Sequence, residues 1–123
     1  MWGAAKHDRS EGIHKPLTAT ALVFRDSRQT VPASETQQVL IAIDHCLLAS
    51  EQVEAIQHRA GELASIDPSA IVLTFSHTHA AGLLNLDREH LPGGELLADY
   101  FESLTATVAK TVAQAASNLV QAN

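Results

Sequence analysis

Apolar and polar positions divide the chain into five stretches with distinct periodicities. From Leu17 to Phe24, small, β-branched and apolar residues include Thr18, Thr20, Leu22 and Val23, a composition suited to a strand that Arg25-Asp26-Ser27 closes. Val39-Leu40-Ile41-Ala42-Ile43 is an unbroken apolar run ending at Asp44 and His45, and it predicts a central strand covered on both faces. Beyond it Ser50 can cap a helix with Glu51 and Glu54 in its first turn. Val53, Ile56, Ala60 and Leu63 recur there at spacings of three and four, opposite a polar face of Gln57, His58 and Arg59.

Asp67-Pro68-Ser69 reads as a turn or a one-turn helix start, followed by a second apolar run from Ala70 to Phe75. The last element has the clearest period: Leu97, Phe101, Leu104, Val108, Val112, Ala115 and Leu119 predict a long helix from about Glu95 onward. Residues 1 to 16 carry glycines, charges and Pro16 without sustained periodicity and read as an irregular lead-in. The predicted order is therefore β-β-α-β-α: a small mixed sheet of about three strands with two helices, an α/β layer fold in one domain spanning 1–123. A hairpin-like link joins the first two strands, and the strand–helix–strand unit implies parallel pairing of the next two.

Composition narrows the partners. The chain has 123 residues, 46% of them hydrophobic, enough for a single core burying roughly two thirds of the surface exposed by the unfolded chain. Only five residues are aromatic (three Phe, one Tyr, one Trp), so the core must be mainly aliphatic. A formal charge of −6, with no cluster of basic residues, argues against a nucleic-acid partner. No apolar stretch reaches the roughly twenty residues of a membrane span, and Lys6, Asp8 and Arg9 stand where a signal peptide needs an apolar stretch. With one cysteine, Cys46, no internal disulfide is available, and a reducing, cytoplasmic setting is expected.

Seven histidines remain to be placed. Ser76-His77-Thr78-His79 follows an apolar strand, and alternation on an extended chain would turn His77 and His79 to one face. Open α/β sheets bind ligands outside the carboxyl ends of parallel strands, where Asp44-His45-Cys46 would also lie. Zinc suits imidazole nitrogen, but a catalytic site normally has three protein ligands and an open position. The third could come from Asp44, His45, His90 or residues beyond this chain. The same pair fits a strand-to-loop junction with rings bonded to backbone equally well. The metallo-β-lactamase signature fails because Ala81 and Gly82 occupy its Asp and His places, and an amidohydrolase barrel needs a far longer chain.

Other candidates have simpler readings. Cys46 reads as a small core residue, His45 as a capped or solvent-facing ring, and His14 as a turn-stabilising group. His58 falls on a polar helix face, and His90 belongs to a charged loop before a Gly93-Gly94 hinge.

Read in order, Met1-Trp2-Gly3, Glu11-Gly12-Ile13-His14-Lys15-Pro16-Leu17, Ala21-Leu22-Val23-Phe24 and Ser76-His77-Thr78-His79 resemble the neutral/alkaline ceramidase family over most of the chain. The resemblance implies a fragment of that catalytic domain: a zinc-dependent amidase cleaving the N-acyl bond of a lipid amide or another small amide. It implies His77 as a zinc ligand, His79 as the catalytic histidine near the reacting amide, and Gly3 as a substrate-lining residue. The family's remaining ligands would lie past Asn123, so the expectation is a partial centre, incomplete or inactive as an isolated chain. Ala4 and Ala80-Ala81-Gly82 depart from the family's usual residues. The alternative expectation is a non-catalytic module that self-associates through an exposed sheet edge.

Overall fold

The computed structural model describes residues 12–26 and 36–121. Its elements are β1 (Ala19–Arg25), β2 (Gln37–Ile43), α1 (Ser50–Ala64), β3 (Ile71–Phe75) and α2 (Leu97–Ser117), with short 3-10 turns at Pro68–Ala70, Leu86–Arg88 and Gly94–Leu96. The sheet order is β1-β2-β3, with β1 antiparallel and β3 parallel to β2, so the expected α/β architecture is present. No helix among the described residues is long and apolar enough to cross a membrane.

The register sorts side chains into two faces. The inner rows run Val23–Val39–Ile71, Ala21–Ile41–Leu73 and Ala19–Ile43–Phe75. They pack with Ile56 and Ala60 of α1 and Val108, Ala109 and Val112 of α2 into one cluster. Small residues at positions 60 and 109 let the helices approach closely, as an aliphatic core with few aromatic rings requires.

The outer row Leu22–Leu40–Val72, with Phe24 beside it, is exposed. The expectation that β2 is covered on both faces is therefore corrected: its burial alternates strictly, and nothing among the described residues lies on the second face. An unbroken apolar run reports β-propensity on both faces, and cannot say which face finds a partner.

Helix α1 begins one residue earlier in capping terms than Ser50 suggested. Its N-cap is Ala49, which has no side-chain acceptor, and Gln52 supplies the reciprocal half of a cap by accepting the Ala49 N–H at 2.9 Å. The buried face is Gln52, Ile56, Ala60 and Gly61, while Leu63 turns out to solvent, half exposed. A Cβ at Gly61 would stand 2.6 Å from the Ile66 carbonyl oxygen, so only glycine lets the chain turn back this tightly into β3. Gln57, expected on the polar face, instead donates to the Ile71 carbonyl at 2.7 Å and ties helix to strand. Asp67 caps the 3-10 turn before β3, accepting from the Ser69 N–H at 2.8 Å and its hydroxyl at 2.7 Å.

Two outcomes follow. Ile41 is fully buried at the centre of the sheet, so Ile41→Ala should cost about 3 kcal/mol in denaturant unfolding, while Leu40→Ala, one residue away on the open face, should cost less than about 1 kcal/mol. The Ser69 hydroxyl and N–H hold the Asp67 carboxyl below its ordinary value of 3.8. A depressed carboxylate contributes stability above its unfolded pKa and loses it as pH falls through the folded one. The melting-temperature gap between wild type and Asp67→Ala should therefore be largest near neutrality and close below the ordinary carboxylate range; a gap that widens with acid would contradict this.

Candidate metal centre

The parallel pairing of β2 and β3 brings the candidate residues together. Ile43 stands opposite Phe75 in the register, and the ladder continues one step further through the Ser76 N–H donating to the Ile43 carbonyl at 3.1 Å. Both strands thus end at the same level. The chain leaves β2 through Asp44, His45 and Cys46, and leaves β3 through Ser76, His77, Thr78 and His79.

At that shared edge Cys46, His77 and His79 form a potential metal-binding cluster, with one donor atom from each lying within 4.8 Å of the others. Cys46 Sγ is 3.6 Å from Nδ1 and 3.5 Å from Nε2 of His77, and the two imidazole centroids are 5.5 Å apart. Bond lengths of about 2.3 Å to sulfur and 2.0 Å to nitrogen, at tetrahedral angles, separate the two donors by roughly 3.5 Å. The Cys46–His77 separation is that of two donors sharing one metal ion. Because the sulfur is almost equidistant from both ring nitrogens, the exposed His77 ring must turn about χ2 to aim one lone pair at a shared ion.

The backbone reason for this convergence differs from the expected alternation. The strand stops at Phe75, and His77 adopts φ +55°, in the left-handed region that L-residues adopt infrequently. Such a conformation stores on the order of 1–3 kcal/mol and persists only where neighbours hold it. Thr78 helps by accepting the Ala80 N–H at 3.2 Å. Farther on, buried Ala81 and Leu84 anchor the loop, and Gln52 of α1 donates to the Leu84 carbonyl at 3.0 Å. Gln52 is thereby used at both ends, by the helix cap and by the loop that carries His79.

The third donor is Cys46, which the sequence reading treated as a small core residue. It is indeed buried, 2% exposed, yet its thiol faces His77. Neither Asp44, His45 nor His90 belongs to the cluster. Asp44 accepts the Thr18 N–H at 3.0 Å and the Thr18 hydroxyl at 2.6 Å; these bonds, with one from Ser76, hold its carboxyl below the ordinary range. His90 sits in an exposed turn, and His58 is exposed on α1. Gly3 and His7 lie outside the described residues.

His45, read from the sequence as a capped or solvent-facing ring, is 1% exposed, beneath α2. Its Nε2 lies 3.3 Å from the Tyr100 hydroxyl, and burial lowers its pKa, favouring the neutral ring. Nδ1 has no hydrogen-bond partner among the described residues. Tyr100 is the missed partner, and its place between Leu97 and Phe101, outside the apolar spacing of α2, gave no signal of this contact.

Beside the cluster opens a cleft of about 570 Å³, within the size range of small-molecule pockets. Residues 12–19, including His14, form one wall and Tyr100, Ser103, Leu104 and Thr107 of α2 the other. Ile43, Asp44 and His45 form the floor, and Ala80 the rim nearest the histidines. Comparison of the chain with family models, curated proteins and solved structures gives no match.

Proposed function

We propose that this chain carries a zinc-dependent amide-hydrolase centre of the ceramidase kind, with Cys46, His77 and His79 as its metal donors. The observation that carries the reading is the meeting of these three donors at the aligned carboxyl ends of β2 and β3, with His77 held at a positive φ to reach it. A cysteine and two histidines with a fourth position open is a donor set suited to catalytic zinc. Zinc held there would polarise an amide carbonyl and make a water more acidic.

The protein's own groups account for the rest. Cys46 must give up its proton to bind metal, so uptake releases protons and strengthens as pH rises. The buried floor keeps its sulfur away from bulk water, while exposed His77 and His79 leave the opposite side open to substrate. The adjoining cleft offers room for the acyl part of an amide along Ile43 and Leu104. The resemblance assigns His79 to the reacting amide instead of the metal.

A non-catalytic module that self-associates is the second reading, favoured by the exposed apolar row of Leu22, Leu40, Val72 and Phe24.

Metal-stripped protein titrated with zinc against a chromophoric chelator should take up one equivalent, more tightly at higher pH. Cys46→Ser and His77→Ala should each weaken uptake by roughly a hundredfold or more. His79→Ala should weaken it comparably if His79 is a ligand, and should spare uptake while lowering turnover of a short N-acyl amide if it faces the substrate. Zinc uptake no better than that of the Cys46→Ser, His77→Ala double variant would rule out the centre. Mass rising with concentration in sedimentation, without zinc-dependent hydrolysis, would favour the second reading.

A further inference from the structure

One buried side chain of the cleft has a polar atom that the fold leaves unmatched. His45, 1% exposed, lies on the cleft floor, and its Nδ1 has no hydrogen-bond partner among the described residues. Its Nε2 lies 3.3 Å from the hydroxyl of Tyr100, whose ring stands on the wall at 40% exposure. The two rings are tilted by 41° with centroids 5.9 Å apart, so they meet through their polar atoms and not by stacking.

The pair can bond in two ways. If the tyrosine donates to Nε2, the ring's own hydrogen sits on Nδ1 as a buried donor with nothing to receive it, an arrangement that folded proteins rarely keep. If Nε2–H donates to the phenolic oxygen, Nδ1 holds only a lone pair and the tyrosine's O–H is left over. The packing favours the second arrangement, and a charged ring would not change this, since it too would carry the orphan donor. Burial raises the Tyr100 pKa, which keeps the O–H protonated, and the N–H donated to its oxygen makes it a stronger donor. Around it the lining is mostly apolar, and Lys15 and Asp44 give it charges of both signs, so neither sign of ion has an evident advantage there.

We infer that the cleft binds neutral carbonyl compounds with a short apolar chain, the Tyr100 hydroxyl donating to the carbonyl oxygen while Leu17, Ile43 and Leu104 cover the chain. A carbonyl oxygen only accepts, so it meets this donor without bringing a hydrogen that needs a partner of its own. Tyr100 is the binding residue here and His45 a positioning one, which holds the hydroxyl by its oxygen and leaves the hydrogen to the ligand. Amides belong to this class, so the inference rests on the amide-hydrolase reading for the fate of the ligand, but the recognition itself needs no metal.

The test is binding of methyl pentyl ketone, isotope-labelled at its carbonyl, to the metal-free full-length chain, followed by ligand NMR and infrared absorption. The bound carbonyl stretch should fall below its position in an apolar solvent. Tyr100→Phe should weaken the ketone roughly fivefold and return the stretch upward, while the alkene of the same shape, with a methylene in place of the oxygen, binds as it does to wild type. Tyr100 is the only tyrosine in the chain, so biosynthetic replacement with fluorotyrosine alters this hydroxyl alone, and the more acidic phenol should lower the stretch further. That arm keeps the contact with His45 and decides the matter if Tyr100→Phe does not fold. Equal losses of ketone and alkene in Tyr100→Phe, or no binding of the ketone, would overturn the inference. A stretch that fluorotyrosine leaves unmoved would do the same, giving the contact to another hydroxyl of the lining such as Ser103 or Thr107. Ketone held by Tyr100 in a chain that takes up no zinc sinks the hydrolase reading and leaves the pocket. Zinc-dependent amide hydrolysis with an unmoved stretch does the reverse.

Discussion

The parallel pairing of β2 with β3 is the constraint on which the remaining structure depends. It requires a crossover, which α1 supplies, and it needs the inner face of both strands covered, which α1 and α2 do together. Its register also ends both strands at one level, so that two loops distant in sequence leave from adjacent points. Cys46 and His77 are 31 residues apart in the chain and within 3.6 Å in space for that reason. Loss of the register would scatter the donors even if each strand survived.

The loops at this edge are held by polar contacts rather than by further core. Asp44 clamps Thr18 on the β1 side, and Gln52 connects the cap of α1 to the loop after His79. The Gln52–Leu84 bond is buried and contributes about 1 kcal/mol but costs more when broken, because the Leu84 carbonyl is then left buried and unmatched, whereas the Asp44–Thr18 bonds are exposed. They offset the strain of a histidine at positive φ, which the strand's own geometry would not produce. His45 belongs to the same scheme: buried, with its pKa lowered by that burial, and joined to Tyr100, it links the strand end to α2 and lines the floor of the cleft.

Much of this was legible in the residues, and the failures have physical causes. Apolar runs and period-3.6 patterns located the three strands and two longer helices of the described residues, and the strand–helix–strand order implied the parallel pair. Covering was not legible, because Leu40 and Val72 are as apolar as Ile41 and Ile71 and only the placement of the helices tells them apart. His77 and His79 were found as a pair, though by an alternation that the backbone does not follow. Cys46 is the core residue its place after a buried strand suggests, and its membership of the potential cluster was not legible because only the neighbouring strand's end gives it a partner.

The central claim is that Cys46, His77 and His79 bind one metal ion together. X-ray absorption at the zinc edge of the loaded chain measures this most directly. The account predicts one sulfur at about 2.3 Å and two imidazole nitrogens at about 2.0 Å, with the remaining position filled by a light atom. A spectrum showing no sulfur in the coordination shell, unchanged by Cys46→Ser, would contradict it.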